Sequence, residues 1–185
     1  NSAVPNPFPQ IPGAGGASIS GNDLLGKHMI LEIPESEFTN NSLHRYSVIA
    51  HEYFHIYQIA LSEDIMEPTW ITEGGAKVVE ELYTQQYYGQ SEFDGGLFPV
   101  SATVLSNPAA FEKYERDGGL VGSPADINYN SSAFMVLALV DMLEARGISE
   151  ARAFEMVLDD FVSELPDHAN WRGAFQAVFS MNVQD

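Results

Sequence analysis

Apolar and polar positions along the chain follow two patterns. His28 to Ile33 reads HMILEI, a short run that Pro34 closes, and it predicts a strand. From residue 43 onward the apolar positions recur at helical spacing. Between about Leu43 and Leu61 they touch nearly every face: Leu43, Tyr46, Val48, Ile49, Tyr53, Phe54, Tyr57 and Ile59. A helix that is apolar all round is a buried helix, and Asn41-Ser42 can cap its start. A second helix begins after Pro68-Thr69, runs to about Gln86 and ends at Gly89. Three more follow at about 130–146, stopped by Gly147, at 150–164, capped by Ser149, and at 168–180, capped by Asp167.

Two stretches lack such periodicity. Residues 1–27 are rich in Pro, Gly, Asn and Ser and read as extended or looped chain. Residues 89–128 hold Gly95-Gly96, Gly118-Gly119 and Gly122, with a short helix expected at Pro108 to Glu115. A connection that long is more often functional than idle. The expected layout is a single domain over 1–185: a Gly/Pro-rich segment and edge strand (1–40), a helix pair (41–88), a long cleft loop (89–128) and C-terminal helices (129–185).

Charge and composition narrow the function classes. Hydrophobic residues make up 45% of the 185, enough to fold around a core. No apolar run approaches the roughly 20 residues that span a bilayer. The net charge of −18, from 26 acidic against 8 basic residues, opposes binding to nucleic acid and to anionic membrane surfaces. It suits solubility, and it would attract cationic substrates. With no cysteine, disulfides and thiolate metal ligands are excluded. The chain opens at Asn1 with no leader pattern. A secreted or periplasmic protein after processing would start this way, and so would a cloned fragment. Secretion is the expectation carried forward. The oligomeric state is not legible in the sequence.

The chemistry concentrates at His51-Glu52-Tyr53-Phe54-His55, an HExxH motif. On a helix, residues four apart share a face, so both imidazoles can grip one ion. Glu52, about 100° around the helix, can lean toward a water that zinc has acidified to a pKa of about 7 and act as general base. Chance could put two His and a Glu together, but burying them on an apolar helix without partners would be costly. A catalytic zinc needs a third protein ligand, and Glu63, Asp64, Glu67, Glu73 and His168 are candidates. Helix rise favours Glu73. The first helix runs roughly 9 Å beyond His55, and the second reaches Glu73 after roughly 6 Å, so an antiparallel return brings them level. Gly74-Gly75-Ala76 would let the second helix approach the first closely, although Gly inside a helix costs about 1 kcal/mol.

HEYFHIYQ followed by WITEGGA resembles the gluzincin metallopeptidases, in particular the aminopeptidase-N-like and peptidase MA-like branch with its W-x-x-E-G context. Residues 56–72 separate His55 from Glu73, a spacing that fits that branch. The resemblance implies one zinc ion on His51, His55 and Glu73, with Glu52 as catalytic base. It implies an outer carboxylate at Glu80, which shares a helix face with residues 73 and 76, and a tyrosine that stabilises the oxyanion at Tyr129. It further implies a zincin-like α+β fold, mostly helical, with a small N-terminal sheet that binds substrate backbone along Gly13–Gly21 and His28–Ile33. Tyr53, Tyr57, Tyr87 and Tyr88 are expected in the core or the cleft wall. The G-x-M-E-N segment of the aminopeptidases is absent, and so is a third His of metzincin type. The expected activity is zinc-dependent hydrolysis of a peptide or protein substrate. Hydrolysis of another amide or an epoxide is the alternative enzyme, and a binding domain with a structural zinc is the alternative class.

Overall fold

The computed structural model describes residues 31, 33, 35–61, 68–91, 125–167 and 169–183. Six helices lie among them. They are α1 (Glu35–Thr39), α2 (His44–Leu61), α3 (Thr69–Tyr88), α4 (Ala125–Ala145), α5 (150–163) and α6 (Trp171–Phe179). The α5 helix has an α-helical first turn and a half, Glu150–Glu155, then a π-helical stretch, Met156–Asp160, then a last α-turn, Phe161–Ser163.

The local signals act where the sequence puts them. The Ser42 hydroxyl accepts from the His44 N–H at 3.1 Å as α2 starts. Gly89, at φ 63°, closes α3 by donating its N–H to the Gln85 carbonyl. Gly147, at φ 88°, ends the turn after α4. Asp167 Oδ1 accepts the N–H groups of Ala169 and Asn170 at 2.8 Å each, so α6 starts at Trp171, three residues later than expected.

The α3 helix is the centre of the assembly, with α4 along one side and α2 along another. On α4, Ala133, Val136, Val140 and Leu143 form one fully buried stripe. On α6, Trp171, Phe175 and Phe179 recur every four residues and are buried, with Phe175 and Phe179 edge to face at a ring-centre distance of 4.7 Å. The π-turn of α5 has a packing consequence. Met156 and Val157 are buried, and so are Phe161 and Val162 five residues on. A five-residue repeat is the repeat of π hydrogen bonding.

Three expectations are corrected. Among the described residues the fold is not the expected α+β arrangement with an N-terminal sheet, because every regular element there is helical and none is a strand. Leu31 and Ile33 lie in no ladder. The rest of that expected strand lies outside the described residues, as do Gly13–Gly21 and residues 92–124 with the helix expected at Pro108 to Glu115. The physical reason is pairing. The sequence offered a single strand candidate, and a strand without a partner cannot satisfy its backbone. Second, α2 is not buried on every face. Val48, His51, Phe54 and Gln58 are buried, whereas Tyr46, Ile49, Tyr53 and Tyr57 line an exposed face, and Tyr87 is exposed at the end of α3.

The third correction concerns the glycine pair. A Cβ on Gly74 would lie 2.4 Å from the Ser132 carbonyl oxygen, so Gly74 serves the contact with α4. Only Gly75 faces α2, where a Cβ would meet Phe54 Cε1 and Leu158 Cδ2 at 3.2 Å. No helix among the described residues is long and apolar enough to cross a membrane.

These two glycines should respond differently to substitution. Gly74→Ala forces two backbones apart and should destabilise by about 1–3 kcal/mol or more. Gly75→Ala asks only side-chain ends to move, and the gain in helix propensity of about 1 kcal/mol should leave it near neutral. Thermal melts followed by circular dichroism would distinguish them, and equal melting temperatures would contradict this account.

Candidate metal centre

The α2 and α3 helices run antiparallel across the site. This follows from their contacts, which climb one helix while descending the other: Gln58 with Thr72, His55 and His51 with Glu73, and Ser47 with Glu80. Three donor atoms converge between them. His51 Nε2 and His55 Nε2 are 3.1 Å apart, and Glu73 Oε2 lies 3.5 Å from the first and 3.4 Å from the second. This His51, His55 and Glu73 group can hold a metal ion.

Each of the two imidazoles has a polar partner behind it. His51 Nδ1 lies 3.2 Å from Glu80 Oε2. The other oxygen of Glu80 accepts the Ser47 hydroxyl at 2.6 Å, and Oε2 also accepts the Lys77 ammonium at 3.0 Å. His55 Nδ1 lies 2.8 Å from Gln58 Oε1, whose amide nitrogen donates to the Thr72 carbonyl at 3.2 Å. Glu80 therefore lies on the side of the His51 imidazole turned away from His55 and Glu73.

Burial and charge oppose each other here. Glu73, Glu80 and His51 are all buried. Burial would lower the His51 pKa, but the carboxylates of Glu73 and Glu80 outweigh it and raise it to about 9. Burial would likewise raise Glu73, yet His51 and His55 hold it down at about 2. Glu80 is also held at about 2, against burial, by His51, Lys77 and Ser47. Without an ion, a proton on His51 supplies the positive charge that this cluster of two carboxylates and one ammonium lacks.

The remaining expected residues are less directly placed. Glu52 is half-buried on α2 beside His51 and is not one of the three converging groups. Tyr129 belongs to α4, one turn before Ser132, whose carbonyl abuts Gly74 beside Glu73. Its side chain lies outside the described residues, as do Glu63, Asp64, Glu67 and His168. Sequence reasoning missed Ser47, Gln58 and Lys77. The signal was present: Ser47 is one turn before His51, Gln58 is three residues beyond His55, and Lys77 is one turn beyond Glu73.

Comparison of the chain with protein-family models, with characterised proteins and with solved structures finds no match. The motif and the geometry of the site therefore carry the functional reading.

The titrations give a pH window for the metal-free protein. His51 is raised from 6.5 to about 9, so its stabilisation is complete below pH 6.5 and lost as pH rises through about 9. Glu73 and Glu80 are lowered from 4.5 to about 2, so theirs is complete above pH 4.5 and lost as pH falls through about 2. The cluster stabilises most between about pH 4.5 and 6.5. Raising the pH of chelator-treated protein from 6.5 to 10 should cost on the order of 3 kcal/mol. Denaturant titrations at the two pH values measure it, and a His51→Gln protein should show a much smaller drop.

Proposed function

We propose that this protein is a zinc-dependent hydrolase of gluzincin type that cleaves peptide bonds. The observation that carries the reading is the size of the donor triangle. A tetrahedral zinc bonded at about 2.0–2.1 Å spaces its donors roughly 3.3–3.4 Å apart. The three edges measured between His51, His55 and Glu73 are 3.1, 3.4 and 3.5 Å. Two imidazoles and one carboxylate, with no cysteine in the chain, form a donor set suited to a catalytic zinc that keeps a position open.

Zinc bound there would polarise the scissile carbonyl and acidify the attacking water. The residues supply the rest. Glu80 holds the Nδ1 side of His51 and leaves its Nε2 for the ion. Glu52 takes the proton of the attacking water and returns it to the leaving amine. The Tyr129 phenol, on this reading, donates a hydrogen bond to the oxyanion as charge develops on it. The spacing of His51, His55, Glu73 and Glu80 along the chain supports the gluzincin assignment, and Glu52 supports a catalytic over a purely structural ion, since a structural site has no use for a general base.

The test has two stages. Metal analysis of purified protein should find about one zinc per chain by the donor count, removable by chelation. Digestion of a peptide library should stop on chelation and resume on adding zinc. Glu52→Gln should keep the metal and lose roughly 10²–10⁴-fold in rate. A folded protein that takes up no zinc would defeat the metal assignment. Zinc-loaded protein that cleaves no peptide would defeat the peptidase assignment alone.

A further inference from the structure

We infer that Gln58 is a positioning residue of the metal centre: its amide fixes the ligating tautomer of His55 and braces that ligand against the turn of α3 that carries Glu73. The inference rests on the metal-binding reading above.

The argument begins with burial. Gln58 is 1% exposed, in the middle of a helix contact. A buried primary amide is costly unless both of its ends are paired. Here both are, and they point to different elements. Oε1 lies 2.8 Å from His55 Nδ1 on its own helix, and Nε2 donates to the Thr72 carbonyl on α3 at 3.2 Å.

Direction follows from chemistry. A backbone carbonyl can only accept, so the amide edge that faces Thr72 must be the NH₂ group. The edge that faces His55 is then the carbonyl oxygen, which also only accepts. In the neutral ring, His55 Nδ1 must therefore carry the hydrogen, and the lone pair is left on Nε2. Nε2 is the atom that meets His51 and Glu73 at 3.1 and 3.4 Å. Left to itself in water, a neutral imidazole favours the opposite tautomer, with hydrogen on Nε2, which cannot ligate. Which nitrogen carries the proton is set by the bond the other one makes, and for His55 that bond runs to Gln58.

The same side chain has a second effect. Thr72 immediately precedes Glu73 and is itself buried. The Gln58 amide thus spans from one ligand to the backbone next to another. The two histidines also receive unequal support: His51 faces the charged Glu80, whereas His55 faces a neutral amide. A carboxylate at position 58 could serve His55 equally well, but it would set an oxygen against the Thr72 carbonyl. Glutamine is the side chain of this length that satisfies both.

Two variants test this, Gln58→Met, which keeps the length and removes both polar ends, and Gln58→Glu, which keeps an acceptor for His55 and loses the donor to Thr72. Circular dichroism first verifies that each is folded. Long-range proton–nitrogen NMR of the metal-free proteins should show neutral His55 with hydrogen on Nδ1 in the original protein and in Gln58→Glu, and with hydrogen shifted to Nε2 in Gln58→Met. Competition with a chromophoric chelator should show zinc affinity falling about 10–100-fold in Gln58→Met, with Gln58→Glu between the two. If Gln58→Met fails to fold, the ranking of Gln58→Glu below the original protein with the tautomer kept still carries the test. Unchanged tautomer and zinc affinity within twofold in Gln58→Met would overturn the inference, as would a Gln58→Glu protein whose His55 loses the Nδ1 hydrogen. The NMR readout needs no metal, so an original protein that binds no zinc would defeat the metal reading while leaving the positioning role judged on its own.

Discussion

Glu73 and Glu80 are buried between α2 and α3, Lys77 pairs with Glu80, and the arrangement depends on what balances the two acids. A lone buried carboxylate is costly enough that it would rather take up a proton. Neither does so here, because His51 stands between the two and can answer both. The imidazole is thus the hinge of the local electrostatics. On the proposed reading, a metal ion would take the place of the proton on His51 Nε2, facing Glu73, while Nδ1 stays turned to Glu80. On the proposed reading, a site built this way is already shaped for an ion, which lowers the reorganisation that binding requires.

Pre-shaping on this scale needs helices that do not slide. Two devices supply it. Between α3 and α4 the backbones touch, since Gly74 leaves no room for even a methyl group before the Ser132 carbonyl. Between α3 and α2 the contact is made by polar side chains, Ser47 with Glu80 and Gln58 with Thr72, one at each end of the ligand group. Apolar packing alone tolerates small shifts, because dispersion is not directional. Hydrogen bonds of defined length and angle do not. The sequence of contacts therefore runs from a steric stop on one side of α3 to directional pins on the other.

Much of this site was legible before any coordinates, and the reason is its locality. His51 and His55 are one turn apart on one helix, and Glu73 lies on the next helix at a level that helix rise predicts. Glu80 required the resemblance, since a carboxylate beside Glu81 reads as an ordinary surface pair until its burial is known. Ser47, Gln58 and Lys77 were passed over because each is unremarkable in composition and acquires meaning only from what faces it. The α4 helix begins at Ala125, five residues before the expected 130 and just after the start signal Ser123-Pro124. The sheet was misjudged for a different reason. Strand formation is a property of pairs, and a single apolar hexamer contains no information about a partner.

The π-turn of α5 has a bearing on how the site is enclosed. An α-helix presents one stripe, and a neighbour on each side must share it or go without. The extra residue in Met156–Asp160 rotates the following turn, so Phe161 joins the aromatic cluster of α6. The same rotation leaves Leu158 against Gly75 and turns Asp159 to accept from the Tyr57 hydroxyl, two residues past His55. One helix thereby serves two masonry courses whose joints do not align, at the expense of a weaker hydrogen-bonded turn. Removal of a single residue from that turn would bring α5 back to one register, and it would have to abandon either the aromatic cluster or the flank of the metal helix.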